Sequence, residues 1–515
     1  VPPARRFAQA CVASAHHLAS GAGLEVLATG GNALDAAVAA NLTMGVVAPY
    51  LCGYGGDVFA LVWRDGQAEG YLGAGAAPGA ATVDAVRAVA GADRLPTRGA
   101  LTVTVPGAVR GWFDLLERYG TRSFGDLAAR ALGYARDGVP LSAAGGVAFQ
   151  FLEAEFSAFD EWRSVYGGSA PGAKLLQPGL ARTIETLAED GPDAYYRGPI
   201  AAAIVECVAG HGGLIADADL AAHRGEWVAP LAAPYRDVEV LELPPPTQGV
   251  TALEALRIVD RAGPLPTDPA DRHHRLVEAV KLAFADRDAH VSDPAAMTVA
   301  PADLLADDWV DARVARLDPA RALPSDDLAA LAGGTSYFCA ADDDGLLVSL
   351  IQTNFKEFGS GLTVPGWGIN LQNRGTSFSL DPGHVNCVAP GKRTLHTLIP
   401  AMALRDGRPW LVFGTMSGDT QFQVHLQLLT QIVDDDRDIQ EAIDAPRWRF
   451  EPGAGVRAET RFDPSLLDGL RARGHDVSTT GAYDPMMGHA HAITVERHGY
   501  AGASDPRSEG AALGF

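Results

Sequence analysis

Strand-like and helix-like stretches alternate in mixed order along this chain, which predicts one compact α/β sandwich and not a string of separate modules. Three observations carry that expectation. Of the 515 residues, 47% are apolar and 20% charged, ordinary proportions for a globular core of this length. Apolar runs flank tight-turn signals at Asp65-Gly66, at Asp343-Asp344-Gly345 and at Asp406-Gly407. Alanine- and leucine-rich stretches at helical spacing lie between them, with no internal repeat, low-complexity tract or long linker.

The elements follow in order. Residues 16–47 read as two helices divided at Gly30-Gly31, with Asn32 capping the second. That second helix is apolar nearly all round, so it predicts burial among close-packed neighbours. The glycines at 53, 55 and 56 lead into a strand, the Asp65-Gly66 turn and a second strand. GYGGD lacks the Lys-Ser/Thr of a phosphate loop and precedes a strand, so nucleotide binding is not expected. A helix is expected after Pro106, placed in its first turn, and closing at Gly120, with another over 123–137. Residues 177–330 read as mostly helical, interrupted by VEVLELPPPTQG. A helix over 277–293 carries Glu278, Lys281, Asp286 and Arg287 at spacings that suit surface or interhelix salt bridges. From about 325 the chain reads as a polar, exposed loop, then as two strands around Asp343-Asp344-Gly345. A hairpin turning at Asp406-Gly407, a helix in QFQVHLQLLTQIVD and a last hairpin in AITVERHGYAGASDP complete the pattern.

The net charge of −22 argues against nucleic acid and anionic membrane as partners, while leaving local arginines free to take small anions. Cys11, Cys52, Cys207, Cys339 and Cys387 are scattered and odd in number, so neither a disulfide framework nor a zinc site is expected. A reducing, cytoplasmic setting fits that usage. The first residues lack a signal-peptide pattern, and no run of about 20 apolar residues suggests a membrane span. The fourteen histidines form no HExxH; His489-Ala490-His491 reads as structural, and no metal or other cofactor is expected.

The chemistry centres on LAGGTSYF, where Thr335 follows two glycines and opens a strand-like run. A threonine hydroxyl needs an adjacent base to become a nucleophile. If threonine heads a chain, its own α-amine, with a pKa near about 8, supplies that base. Reaching that state requires a cut between Gly334 and Thr335. Glycine permits strained geometry at such a bond, and its missing side chain leaves room for hydroxyl attack. Taken alone, the tripeptide is weak evidence and reads as a plain loop-to-strand junction.

The chain resembles the γ-glutamyltranspeptidase family along nearly its whole length. The resemblance is carried by AGLEVLATGGNALDAAVAANLTMGVVAP, GYGGDVFALVW, TVPGAVRGWFDLLERYG, PDAYYRGPIA, LPPPTQG, EAVKLAFADRDAHVSDP, FGSG, PGKRTLHTLIP and ASDPRSEG. It implies a four-layer αββα N-terminal-nucleophile hydrolase, made as one precursor that cuts itself. The large subunit would comprise residues 1–334 and the small subunit 335–515, intertwined as one domain. The register to Phe358-Gly359-Ser360-Gly361 places Thr335 as nucleophile and Thr353 as the second threonine that hydrogen-bonds it. It places Ser417-Gly418 at the oxyanion hole, where backbone N–H groups act whatever the side chain.

The chain departs from the family where γ-glutamyl enzymes grip glutamate. The arginine before Ala-Pro becomes Ala74, Asn-Gln-x-Asp-Asp becomes Asn373-Arg374-Gly375-Thr376-Ser377, and Ser-Ser becomes His396-Thr397. The family's ammonium-binding acid is thus replaced by Ser377. Candidate substrate contacts are Ala74, Asn354, Asn373, Arg374, Ser377, Arg393, His396 and Thr397. The expected substrate has an acidic, oxalyl- or dicarboxyl-like acyl group without an α-ammonium, with Arg374, His396 and Arg393 as its polar partners. Structural salt bridges for Arg374 and Arg393, and a buried structural imidazole for His396, are the alternatives. LQNRGTSFSLDPGHVN resembles the divergent branch of cephalosporin-type acylases and oxamate-type amidohydrolases. Cleavage of an amide or of a carbon–carbon bond beside an oxalyl-type group, a true γ-glutamyl activity and a non-catalytic member all stay open. So does a homo-oligomer.

Overall fold

The computed structural model describes residues 2–324 and 334–515, so the loop expected from about 325, including Gly333, lies outside the described residues. Its centre is a pair of seven-stranded antiparallel sheets. The first runs Ala511–Gly514, Cys11–Ser14, Ser336–Ala341, Leu347–Thr353, Asp57–Arg64, Gln67–Gly73, Glu226–Val228 from edge to edge. The second runs Arg5–Phe7, Gly499–Ser504, His491–Glu496, Arg408–Gly414, Ala401–Arg405, Val238–Glu242, Leu231–Tyr235.

Strand periodicity explains the layering. In Ser336–Ala341, Tyr337, Cys339 and Ala341 face the second sheet, while Phe338 and Ala340 face helices. Phe59, Leu61 and Trp63 alternate with Val58, Ala60 and Val62 in the same way. Both faces are therefore apolar, which is why these strands read as continuous hydrophobic runs. Met402, Val412 and Ile493 meet them from the second sheet. Helices Ala33–Val47, Ala108–Tyr119, Phe124–Asp137 and Pro178–Asp190 cover the first sheet. Helices Gly249–Arg261, Pro269–His290, Thr420–Leu429 and Pro464–Ala472 cover the second. The result is a four-layer αββα sandwich.

Every residue of Ala33–Val47 is buried, and Asn32 closes its N-terminus in a capping box with Asp35. Other expectations need adjustment. Pro106 lies outside its helix, which starts at Ala108; its carbonyl instead accepts the Tyr196 hydroxyl at 2.8 Å. The helix expected over 277–293 spans Pro269–His290 and starts at a side-chain cap from Asp268. Its charged residues are buried between elements: Lys281 pairs with Glu278 at 2.8 Å, Asp286 with Arg313 at 2.6 Å, and Arg287 with Asp419. The stretch 177–330 also contributes strands Glu226–Val228 and Leu231–Tyr235, edge pieces too short to announce themselves, the second also interrupted by Pro234.

Both sheets take strands from both sides of the Gly334–Thr335 bond, which falls at the head of Ser336–Ala341, between Cys11–Ser14 and Leu347–Thr353.

Candidate active site

Antiparallel register sets the first pair of side chains. Ser336 lies opposite Gln352, which brings Thr335 beside Thr353. Thr335 is 1% exposed. Its hydroxyl reaches Gly334 O at 2.7 Å and Thr353 Oγ1 at 3.4 Å. Thr353 also donates to Gly334 O, at 2.5 Å, and accepts the Phe355 N–H at 2.6 Å. Two hydroxyls thus converge on the carbonyl that precedes Thr335. Packing does not demand glycine at 334, contrary to the expectation of needed room: an added Cβ would come no closer than 3.5 Å, to Tyr50 O.

The chain then turns sharply. Phe355 has φ 76° and Phe358 φ 52°, conformations that non-glycine residues rarely adopt. The turn puts the Phe355 ring 3.7 Å under the guanidinium carbon of Arg374. Asn354 is buried, and neither side-chain polar atom has a partner; its carbonyl accepts Asn373 N at 3.2 Å. Gly56 is required here, since a Cβ would fall 2.0 Å from Thr353 O and 2.5 Å from Asn354 Oδ1. Asn373 is spent on structure, donating to Thr97 O at 2.7 Å and accepting Lys356 N at 3.0 Å.

Arg374 is the distinctive group. It is 1% exposed, donates from Nη1 to Thr397 Oγ1 at 3.3 Å, and leaves Nε and Nη2 without partners. Among the described residues no carboxylate stands within salt-bridge distance of it. Burial pulls its pKa down to about 9, with Asp57 and Asp419 opposing from a distance. His396 packs edge-on to Phe59 and meets Asp57 Oδ2 through Nε2 at 3.1 Å. Burial, then Arg374, pushes the imidazole well below its ordinary range, so it is neutral at pH 7. Arg374, not His396, is the cation here.

The remaining expected residues fall in several places. Ser377 Oγ is buried without a partner, in the turn Arg374–Ser377. Ala74 is buried against the layer between the sheets. Arg393 is held by Glu226 at 2.6 Å and Asp293 at 3.5 Å, the structural salt bridges weighed as its alternative. Ser417 and Gly418 both have positive φ, 92° and 54°, ahead of helix Thr420–Leu429. Ser417 Oγ donates to Met486 O at 3.0 Å, and Gln248 Nε2 ties Gly418 O at 3.1 Å to Thr397 O at 3.0 Å. Gln248 therefore links the strained 417–418 turn to the segment that carries His396.

Sequence reasoning passed over Gln248, Phe355 and above all Asp57. The carboxyl of Asp57 is fully buried, and burial lifts its pKa to about 7 against the pull of Arg374 and Gln372. A charged residue opening the apolar strand DVFALVW was the available signal. Of metal-type clusters among the described residues, His274, Glu278 and His475 lie together. The Lys281 ammonium sits 2.8 Å from Glu278 and 3.4 Å from His475 Nδ1, so a side-chain cation already occupies that cluster. Expected His489 and His491 are buried separately from it.

Two facing antiparallel sheets sheathed by helices define an N-terminal-nucleophile hydrolase sandwich, and the solved cephalosporin acylase of Bacillus halodurans superposes with a TM-score of 0.94 at 35% identity, over 100% of this chain and 97% of that one. The chain belongs to the γ-glutamyltranspeptidase family, whose profile matches residues 19–515. An oxamate amidohydrolase proenzyme of Klebsiella pneumoniae is 39% identical over 97% of both chains. A glutathione hydrolase-like YwrD proenzyme of Bacillus subtilis is 37% identical over 98% of both.

Proposed function

We propose that this chain is a self-processing threonine hydrolase that removes a small acidic acyl group and is not γ-glutamyl specific. One observation carries the reading: the buried Arg374, with two unpartnered N–H edges and no carboxylate in reach among the described residues, contiguous with Thr335 through Phe355 and Thr353. A buried guanidinium in that condition suits an incoming carboxylate, which it can grip in bidentate fashion. The Klebsiella relative's name specifies oxamate, an amide whose acyl half ends in a carboxylate.

In the precursor, Thr335 Oγ1 attacks the Gly334 carbonyl, the peptide becomes an ester, and water releases it. The freed α-amine then accepts the Thr335 proton as Oγ1 attacks substrate. The amine returns that proton to the leaving nitrogen, and water hydrolyses the acyl-threonine ester. The strained backbone of Ser417-Gly418, at a helix N-terminus, suits N–H donation to the tetrahedral oxyanion. Ala74 in place of the arginine of γ-glutamyl enzymes, and Ser377 in place of their ammonium-binding acid, favour acyl groups lacking an α-ammonium.

The test is twofold. Mass spectrometry of purified protein should give two fragments meeting at Gly334/Thr335. The processed enzyme should release ammonia from oxamate far faster than p-nitroaniline from γ-glutamyl-p-nitroanilide. An intact chain with full activity, or efficient γ-glutamyl turnover, overturns the reading.

A further inference from the structure

The Asp57 carboxyl takes no part in the chemistry above, yet it lies under the acyl pocket with its two oxygens in unlike surroundings. Oδ1 accepts three donors: Gln372 Nε2 at 3.0 Å, Gly107 N at 3.1 Å and Gly75 N at 3.3 Å. Oδ2 meets only His396 Nε2, at 3.1 Å. An oxygen already accepting three N–H groups has no lone pair left for a proton, so protonation of Asp57 falls on Oδ2. On the far side of the imidazole, Nδ1 is buried and has no partner.

A neutral imidazole carries one N–H. With Asp57 ionised, that hydrogen sits on Nε2 and donates to Oδ2, leaving Nδ1 a bare acceptor. With Asp57 protonated, Oδ2–H donates to Nε2, and the ring hydrogen moves to Nδ1, which becomes a donor. One proton taken from water at Asp57 thereby changes the hydrogen-bonding sense of the opposite edge of His396. It also removes the carboxylate that attracts Arg374 across the pocket.

We propose that Asp57 and His396 form a proton-coupled tautomer switch, in which an anionic acyl group binds to Arg374 together with one proton taken up by Asp57. The inference rests on the reading of Arg374 as the partner of a substrate carboxylate. Both are positioning residues, acting through the pocket's charge and donor pattern. The titratable groups facing the pair are few. Arg374 comes from the turn Arg374–Ser377, and Tyr195 and Tyr196 from the short helix Asp193–Tyr196; burial holds both phenols neutral. Asp419, on the far side of Arg374, pairs with Arg287. Burial places the Asp57 proton near neutrality, at about 7, so the exchange falls in the working range. An anion bound to Arg374 cancels the charge that favours the Asp57 carboxylate, which raises that value further.

The probe is oxalate, a dianion throughout the range used. Titration calorimetry of the processed enzyme, in two buffers of different ionisation enthalpy, counts protons taken up per oxalate bound. Uptake should approach one above pH 7.5, and affinity should fall toward tenfold per pH unit between pH 7.5 and 8.5. In Asp57→Asn the carboxamide N–H replaces Oδ2–H, so oxalate should bind with no proton uptake and with affinity level across that range. Rising affinity loss in the variant equal to wild type overturns the switch. So does oxalate binding to wild type without uptake, whether or not the variant folds. Oxalate that binds at no pH overturns the anion reading of Arg374 itself, and the switch with it.

Discussion

Replacing Arg374 with methionine is expected to raise the melting temperature while removing turnover of acidic acyl substrates. The side chain is buried, and burial lowers its pKa to about 9. At about 1.36 kcal/mol per pH unit, holding that charge costs the folded protein of order 5 kcal/mol. Methionine keeps an apolar stem over Phe355 and gives up one 3.3 Å bond to Thr397. Apolar replacement of poorly compensated buried charge stabilises by about 1–4 kcal/mol. For 515 residues, at about 2.1 cal/mol/K per residue, that is roughly 1–4 °C in melting temperature. Loss of a buried charged contact to substrate should lower kcat/KM by about 2–5 kcal/mol, roughly 30- to 5,000-fold. Differential scanning fluorimetry and ammonia release from oxamate measure the two effects on one sample. A melting temperature that falls with activity unchanged would mean that Arg374 is a structural residue, and the reading of the pocket would be wrong.

Thr335→Ala should remain one chain of full length on a denaturing gel and release no ammonia from oxamate. Thr353→Val removes a hydroxyl held to Gly334 O and to Phe355 N; self-cleavage, followed by gel over hours, should slow about 10- to 100-fold. Its stability should also fall by about 1–3 kcal/mol, since the buried Phe355 N–H loses its acceptor. For Asp57 the folded value is raised, from 3.8 to about 7, so the folded protein holds a proton that the unfolded chain releases. The contribution of this group to stability therefore decreases as pH rises from about 4 to 7 and is level above that. Asp57→Asn, compared with wild type by chemical denaturation, should show its largest relative gain at pH 8 and the smallest at pH 4; the reverse order refutes the assignment. Ser417→Gly should relieve the positive φ at the cost of the Met486 contact, leaving stability within about 1 kcal/mol of wild type and self-cleavage intact.

What the sequence made legible follows from the range of the forces involved. The strands around Asp343-Asp344-Gly345 and the helix capped by Asn32 are local objects, specified by period, turn and cap, and they appear where expected. The edge strand Arg5–Phe7 was missed because its partner Gly499–Ser504 lies at the other end of the chain, and Leu231–Tyr235 because its own pattern is weak, although it pairs with the neighbouring Val238–Glu242. Pro106 was misplaced because its fixed φ suits the residue before a helix as well as the first turn. In the site, Thr335 and Thr353 are eighteen residues apart across one hairpin, so register alone brings them together. Asp57 and His396 meet across 339 residues and two different segments, which no local pattern announces. Arg393 illustrates the converse: a substrate arginine expected from its place in PGKRTLHT is held by Glu226 and Asp293 from elsewhere in the chain.

On the proposed reading, the same geometry lets acyl specificity change while the pair Thr335 and Thr353 stays put. Thr335, Thr353 and Gly334 are fixed by strand pairing and by backbone carbonyl and amide contacts, which side-chain exchange nearby leaves alone. The pocket side is built from Arg374, His396 and Asp57, on three separate segments: Asp57 lies opposite Thr353 on the neighbouring strand, and Arg374 stacks on Phe355 just past the hairpin. Backbone strain falls at Phe355, Phe358 and Ser417, and burial weighs on Asp57 and His396 as well as on Arg374. A lone buried cation is tolerable only where something else offsets its desolvation, and in a 515-residue fold with two large apolar layers that cost is small beside the total area buried. On the proposed reading, the fold can hold Arg374 open for a substrate anion. Exchanging the pocket residues as a set, and not singly, is the route by which such a site would pass from one acyl group to another, because Arg374, His396 and Asp57 fix one another's charge.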